Sequence, residues 1–174
     1  GRLEAIGTKD ENIIFTSSEG AWRGLYVLNS KERSILQNVQ FYDATNLSDG
    51  LLNLTGAITF YKSNVDIVDV KFKNNSSEDY LNIVHSDFLI KNVLFEDCPS
   101  DAFDSDFSNG VIMNSSFTNV YGDAADFSGS QVSVVNSSFR KVKDKAVSAG
   151  EGSTLEVNHI SVIDCGVGVA AKDG

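Results

Sequence analysis

What most constrains this chain is a period of 22 residues running through its middle. Asp79, Asp101 and Asp123 recur at that interval, as do Leu81, Phe103, Ala125 and Val147, and Phe95, Phe117 and Phe139. Asn92, Asn114 and Asn136 keep the same step, the last two opening identical Asn-Ser-Ser-Phe strings. A unit this short cannot bury its apolar positions alone. It must stack on copies of itself, which makes a solenoid. The apolar residues alternate as in strands, and no helical periodicity survives beyond a turn or two.

Read from the start, Gly1–Thr8 and Ile13–Ser18 alternate like two short strands joined by a polar turn. The Asn/Asp-x-x-Phe cadence then appears at Asn38–Phe41, Asp69–Phe72 and Asn92–Phe95, and in both Asn-Ser-Ser-Phe copies. Its last form, Asn158-His159-Ile160-Ser161-Val162, carries one extra residue, which we read as a bulge at His159. The long step from Asn38 to Asp69 contains Asn46-Leu47-Ser48-Asp49-Gly50, a turn-rich insertion expected to project from one corner of the coil.

These spacings predict a coil of short parallel strands in which like residues stack. Leu81, Phe103, Ala125, Val147 and Val169 form one inward column, and Phe41, Phe72, Phe95, Phe117 and Phe139 an aromatic one. The asparagines at 38, 92, 114, 136 and 158 are expected at turns, because Asn tolerates the left-handed conformation and its amide can bond the amide one turn away. Several asparagines also sit in glycosylation sequons, but Asn114 and Asn136 would be poor acceptors inside such a ladder. Cys98 and Cys165, three periods apart, should lie ~14 Å from one another, beyond disulfide reach, and act as small apolar side chains.

With the ladder, the strings Ser100-Asp101-Ala102-Phe103-Asp104 and Gly122-Asp123-Ala124-Ala125-Asp126-Phe127-Ser128 resemble the right-handed parallel β-helix repeat family, the pectate lyase-like superfamily. That resemblance covers essentially the whole chain. It implies an all-β, right-handed, single-stranded parallel β-helix with rungs of about 22 residues, forming one domain over 1–174 and cut from a longer solenoid. It also implies a secreted or cell-surface setting, since the family includes polysaccharide lyases, polygalacturonases, alginate epimerases and bacterial surface proteins. Fold alone does not choose among those activities.

The net charge of −10 argues against a nucleic acid or an anionic membrane as partner. No apolar run approaches the ~18–20 residues of a membrane span. If Leu81, Phe103 and Ala125 point inward, then Asn82, Asp104 and Asp126 point outward, with Val84, Asp106 and Ser128 beside them. Nine of the ten charged acids and lysines between 79 and 128 are Asp or Glu, Lys91 being the exception. Like charges in register repel, so the arrangement asks for a reason. It could be a solvated face that discourages association. It could be a calcium site on Asp104, Asp106 and Asp126, calcium being the one cofactor such a face suggests. Or it could be a glycosidic pair, with Asp104 and Asp126 catalytic and Asp106 on the substrate.

Against catalysis, the Gly-His-Gly and Arg-Ile-Lys strings of polygalacturonases are absent, and the lysines that a lyase would need, Lys145 and Lys172, fall two or more rungs from Asp104. His85 shares a strand-end column with Phe107 and Gly129, and we read it as a local hydrogen-bonding residue. Trp22 and Tyr26, four apart, are expected on one face of a strand as a stacking platform for sugar, or else Trp22 covers an end of the coil. Arg140-Lys141-Val142-Lys143-Asp144-Lys145 is the one basic cluster, a solvated turn or a grip for an anionic polysaccharide. The resulting expectation is a non-catalytic, polysaccharide-interacting or structural module. The alternatives are a lyase or hydrolase of uronic-acid polymers, and a spacer that self-associates end to end through unpaired strand edges.

Overall fold

The computed structural model describes residues 1–172. They form an all-β parallel solenoid of about 7 turns, with no helix. The first turn holds β1 (Glu4–Ile6), β2 (Ile13–Phe15) and β3 (Leu25–Leu28). The second and third hold β4 (Ser34–Tyr42) with β5 (Gly56–Tyr61), and β6 (Val65–Lys73) with β7 (Asp79–Val84). Then come β8 (Asp87–Lys91), β9 (Leu94–Cys98) and β10 (Asp101–Asp106), and β11 (Asn109–Met113), β12 (Ser116–Val120) and β13 (Asp126–Ser128). The last two turns are β14 (Gln131–Val135), β15 (Ser138–Val142) and β16 (Lys145–Gly150), and β17 (Thr154–Asn158), β18 (Ser161–Ile163) and β19 (Val167–Ala171).

Each turn visits three faces. The first and second faces belong to one 12-stranded sheet, because β4 and β6 run around the corner between them. The third face is a 7-stranded sheet, β19-β16-β13-β10-β7-β5-β3. All strand pairs are parallel, and Leu81, Phe103 and Asp104 pair in register with Ile58, Leu81 and Asn82. As expected, the aromatic column Phe41–Phe72–Phe95–Phe117–Phe139 is buried and stacked, with centroids 4.7–5.3 Å apart and planes within 11°. Burying each ring stabilises the fold by roughly 1.5–3 kcal/mol.

Corners are made by single residues in the left-handed conformation. Between the first and second faces these are Asn38, Asp69, Asn92, Asn114, Asn136 and His159, all with φ between 50° and 55°. His159 therefore occupies the asparagine column, and Asn158 ends β17 opposite Val135. The bulge expected at His159 is not there. The extra residue is Glu151, in the turn after β16, since Ser128 pairs with Gly150 while Gln131 pairs with Thr154. In the asparagine column, Asn92 donates to Asp69 (2.9 Å) and Asn38 to the Gly7 carbonyl (3.1 Å).

The continuous ladder is built of serine. The amides of Ser30, Ser63, Ser86, Ser108 and Ser130 donate to the hydroxyls of Ser63, Ser86, Ser108, Ser130 and Ser153 at 2.8–3.2 Å. The hydroxyls of Ser63, Ser86, Ser108 and Ser130 each donate back to a carbonyl two residues earlier. Each serine thus satisfies a buried amide that a corner would otherwise orphan. Ser115 and Ser137 do the same at the asparagine corner.

Cys98 and Cys165 are unpaired, Cys98 buried and Cys165 half-buried in the last turn. The insertion lies between β4 and β5, closed by the Ser48–Asn53 bridge and by Asp49, whose carboxylate accepts the amides of Leu51 and Leu52. Leu51, at its tip, is 99% exposed.

Candidate functional site

The third face carries the acidic residues. Its strands bend at Tyr80, Ala102 and Ala146, which drop out of the paired register, so the residue before each bend lies close to the outward residue after it. A β-carbon on Gly56, the counterpart of Asp79, would come within 2.6 Å of the Asn82 β-carbon. The column Asp79, Asp101, Asp123 therefore lies directly against the column Asn82, Asp104, Asp126, forming one acidic row. The register of Asp104 with Asp126, and of Asp106 with Ser128, is the one expected from the repeat.

Most of these carboxylates already have partners. Asp101 accepts the Asp123 amide at 2.8 Å, and Asp123 accepts the amide of Lys145 at 2.9 Å and its ammonium at 3.0 Å. Asp101 sits where a β-carbon on residue 122 would be, 1.9 Å away, so Gly122 is required there. Asn82 donates to Asp104 at 3.0 Å, and Asp126 accepts the amide of Phe127 at 2.9 Å. All but the last, which is local to its own strand, bolt one turn to the next.

Crowding changes the acidity of the row. Burial, then the charges of Asp79, Asp106, Asp126 and Asp101, push Asp104 up to about 8. Burial is also the largest cause for Asp79, raised to about 7 against the opposing bond from Thr55, and for Asp101, raised to about 6. Asp106 is raised too, by burial and by the charges of Asp126 and Glu151. The repulsion foreseen from sequence is present, but desolvation is the larger effect. Among the described residues, no group of three or more His, Cys, Asp or Glu side chains is placed to hold a metal ion.

Trp22 and Tyr26 are not brought together. Trp22 lies outside β3, behind Gly24 with φ 56°, and its ring stacks on Phe15 and Phe41 while Nε1 donates to the Tyr42 carbonyl at 2.7 Å. Phe15 itself stacks on Phe41 at 5.0 Å and ends the aromatic column, with Trp22 packed beside the pair. Tyr26 is exposed on the third face, paired with Thr59.

Sequence reasoning missed an exposed ring stack at the corner that leads out of the third face. His85 lies on Phe107 with centroids 5.0 Å apart and planes at 17°, and Tyr61 meets His85 edge-on at 6.0 Å. Phe107 is 59% exposed, and both His85 (φ 50°) and Phe107 (φ 49°) are left-handed. That conformation costs a bulky residue ~1–2 kcal/mol. Gly129 makes room, since a β-carbon there would lie 2.5 Å from the ring of Phe107. The available signal was the 22-residue column itself, in which a Phe among turn residues is out of type.

No family model and no curated protein matches the chain.

Proposed function

We propose that this chain is a non-catalytic, polysaccharide-interacting β-solenoid module of a secreted or cell-surface protein. The observation that carries this is the exposed His85–Phe107 stack, met edge-on by the half-buried Tyr61, beside the acidic row. Both stacked residues stand at the left-handed corner position that Lys62 and Gly129 hold on neighbouring turns, a position that glycine or asparagine fills more easily than a bulky ring. Exposed rings offer the C–H faces of a pyranose a surface, and adjacent carboxylate and amide oxygens accept hydroxyl hydrogen bonds. The carboxylates of Asp101, Asp123 and Asp126 are engaged with backbone amides, which favours a structural use for them over chemistry. The test is calorimetric titration with a panel of oligosaccharides, with Phe107→Asn as the variant. The reading predicts binding that the variant loses, and no new reducing ends or 235-nm absorbance on any polymer.

A second reading is favoured by one observation. Asp104, held near 8, keeps its proton at neutral pH, as a general acid must, and its register partner is the carboxylate Asp126. This is the hydrolase alternative with Asp104 as proton donor. It predicts cleavage by the wild type that Asp104→Asn abolishes.

A further inference from the structure

Apart from Lys145, which bonds Asp123, the basic cluster is unused by the third face. It lies at the corner between the second and third faces, on the rim of an open groove of about 640 Å³ lined by Asp97, Pro99, Asn119, Tyr121, Lys141, Lys143 and Asp164 among others. Tyr121 is 63% exposed, and the Lys143 ammonium stands 5.7 Å from its ring centroid. Lys145 is engaged by Asp123 and Asp144, but Arg140, Lys141 and Lys143 make no ion pair among the described residues.

Lys141 is also out of type for its place. Its corner column is Asp43, Asn74, Asp97, Asn119, Lys141 and Asp164, all left-handed, with φ between 54° and 57°. Every other member is an Asn or Asp, the residues that tolerate this conformation. Asn119 and Asp97 are bonded to each other at 2.9 Å. Among the described residues the Lys141 side chain makes no hydrogen bond or ion pair in return for the conformational cost, and a break in local consistency of this kind concentrates at functional positions.

The lining restricts the ligand. A long polyanion meets a chain of net charge −10 and the carboxylate of Asp164 at the groove's edge. A wholly neutral ligand leaves two ammonium groups unanswered. Asp97 is already held by Lys73 at 3.2 Å and by Asn119, which leaves Lys141 and Lys143 as the positive centre. Pro99 and the Tyr121 ring supply an apolar wall, and Asn119 and Asp164 supply partners for hydroxyls.

We propose that this groove binds an acidic sugar residue, a pyranose bearing one carboxylate or sulfate. The acid group lies between Lys141 and Lys143, and the ring lies against Tyr121. The inference rests on the polysaccharide-interacting reading above and names a second contact for it, away from the acidic row.

The test titrates the whole chain with three trisaccharides of equal length, one uronic, one sulfated and one neutral, and repeats each with Lys141→Asn/Lys143→Gln and with Tyr121→Ala. Circular dichroism confirms that the variants, all at exposed positions, remain folded. Expected is binding of the uronic or the sulfated sugar, weakened about tenfold or more by either variant and weakened by added salt. Which of the two acidic arms binds identifies the acid group. Acidic-sugar binding that neither variant changes, or binding of the neutral sugar alone, overturns this assignment and leaves the broader reading standing. Binding of none of the three overturns both.

Discussion

The molecule contains two aromatic stacks built by the same repeat, one inside and one outside. Phe72, Phe95, Phe117 and Phe139 pile up in the core at 4.7–4.9 Å with planes 8–9° apart, and each sits within a regular strand. His85 and Phe107 stack on successive turns of one column, whose neighbouring places are Lys62 and Gly129, and Tyr61 meets His85 edge-on from the adjacent column; Phe107 is exposed, and His85 and Phe107 are left-handed corner residues. The inner stack removes apolar surface from water in a relaxed backbone. The outer one leaves a ring in water, at a left-handed corner where a smaller residue would sit more easily. Stacking geometry therefore does not separate a structural column from a functional one. Exposure and backbone cost do.

That difference can be tested by degrees. The largest expected effect is in the inner stack: Phe117→Ala should cost roughly 3–5 kcal/mol of stability, read as a lower urea midpoint. An unchanged midpoint would contradict the register. Next comes the ladder beside the outer stack. Ser108→Ala removes the acceptor of the Ser86 amide and a hydroxyl that donates to the Asp106 carbonyl. Leaving that buried amide unpaired should cost roughly 1–3 kcal/mol, again by urea unfolding.

The acidic row gives a pH dependence of definite sign. Asp104, Asp79 and Asp101 are held near 8, 7 and 6, above the ordinary carboxylate value. The folded chain then binds these protons more tightly than the unfolded chain does. Their protonated forms stabilise the fold, and that contribution is lost as pH rises from about 4 through about 8. The melting temperature should fall between pH 5 and pH 8.5, and Asp104→Asn should flatten the fall. Glu96 and Asp97 are lowered by hydrogen bonds from Lys71 and Lys73 and from Asn119 and Lys73, so they lose their contribution only on the acid side of this window. A melting temperature that rises across the window would contradict the electrostatics of the acidic row.

Much of the architecture is legible in the sequence, because a solenoid repeats its side-chain environment at a fixed interval. Like residues at like positions expose the period, and alternation exposes the inward columns, as at Leu81, Phe103 and Phe117. What was not legible depends on where the extra residue of an irregular turn is placed. His159 looked like a bulge because Asn158 preserves the asparagine type, while the backbone places Glu151 as the insertion. The serine ladder was in plain view at Ser86, Ser108 and Ser130, but serine does not announce burial. Trp22 and Tyr26 were separated by Gly24, whose left-handed turn ends the strand continuity that their spacing suggested. The close approach of the two acidic columns comes from the break in register at Tyr80 and Ala102, which no residue type signals.

The smallest expected effect on stability tests the central claim most directly. Phe107→Asn replaces a strained, exposed ring with a residue at ease in the left-handed conformation, so stability should stay within ~1 kcal/mol of wild type or rise. Oligosaccharide binding should be lost. The decisive measurement is therefore one calorimetric pair on wild type and Phe107→Asn: unfolding first, then saccharide titration. Unchanged or higher stability with lost binding is the predicted result. A loss of stability approaching that of Phe117→Ala, or undiminished binding, would contradict the assignment of the outer stack to recognition.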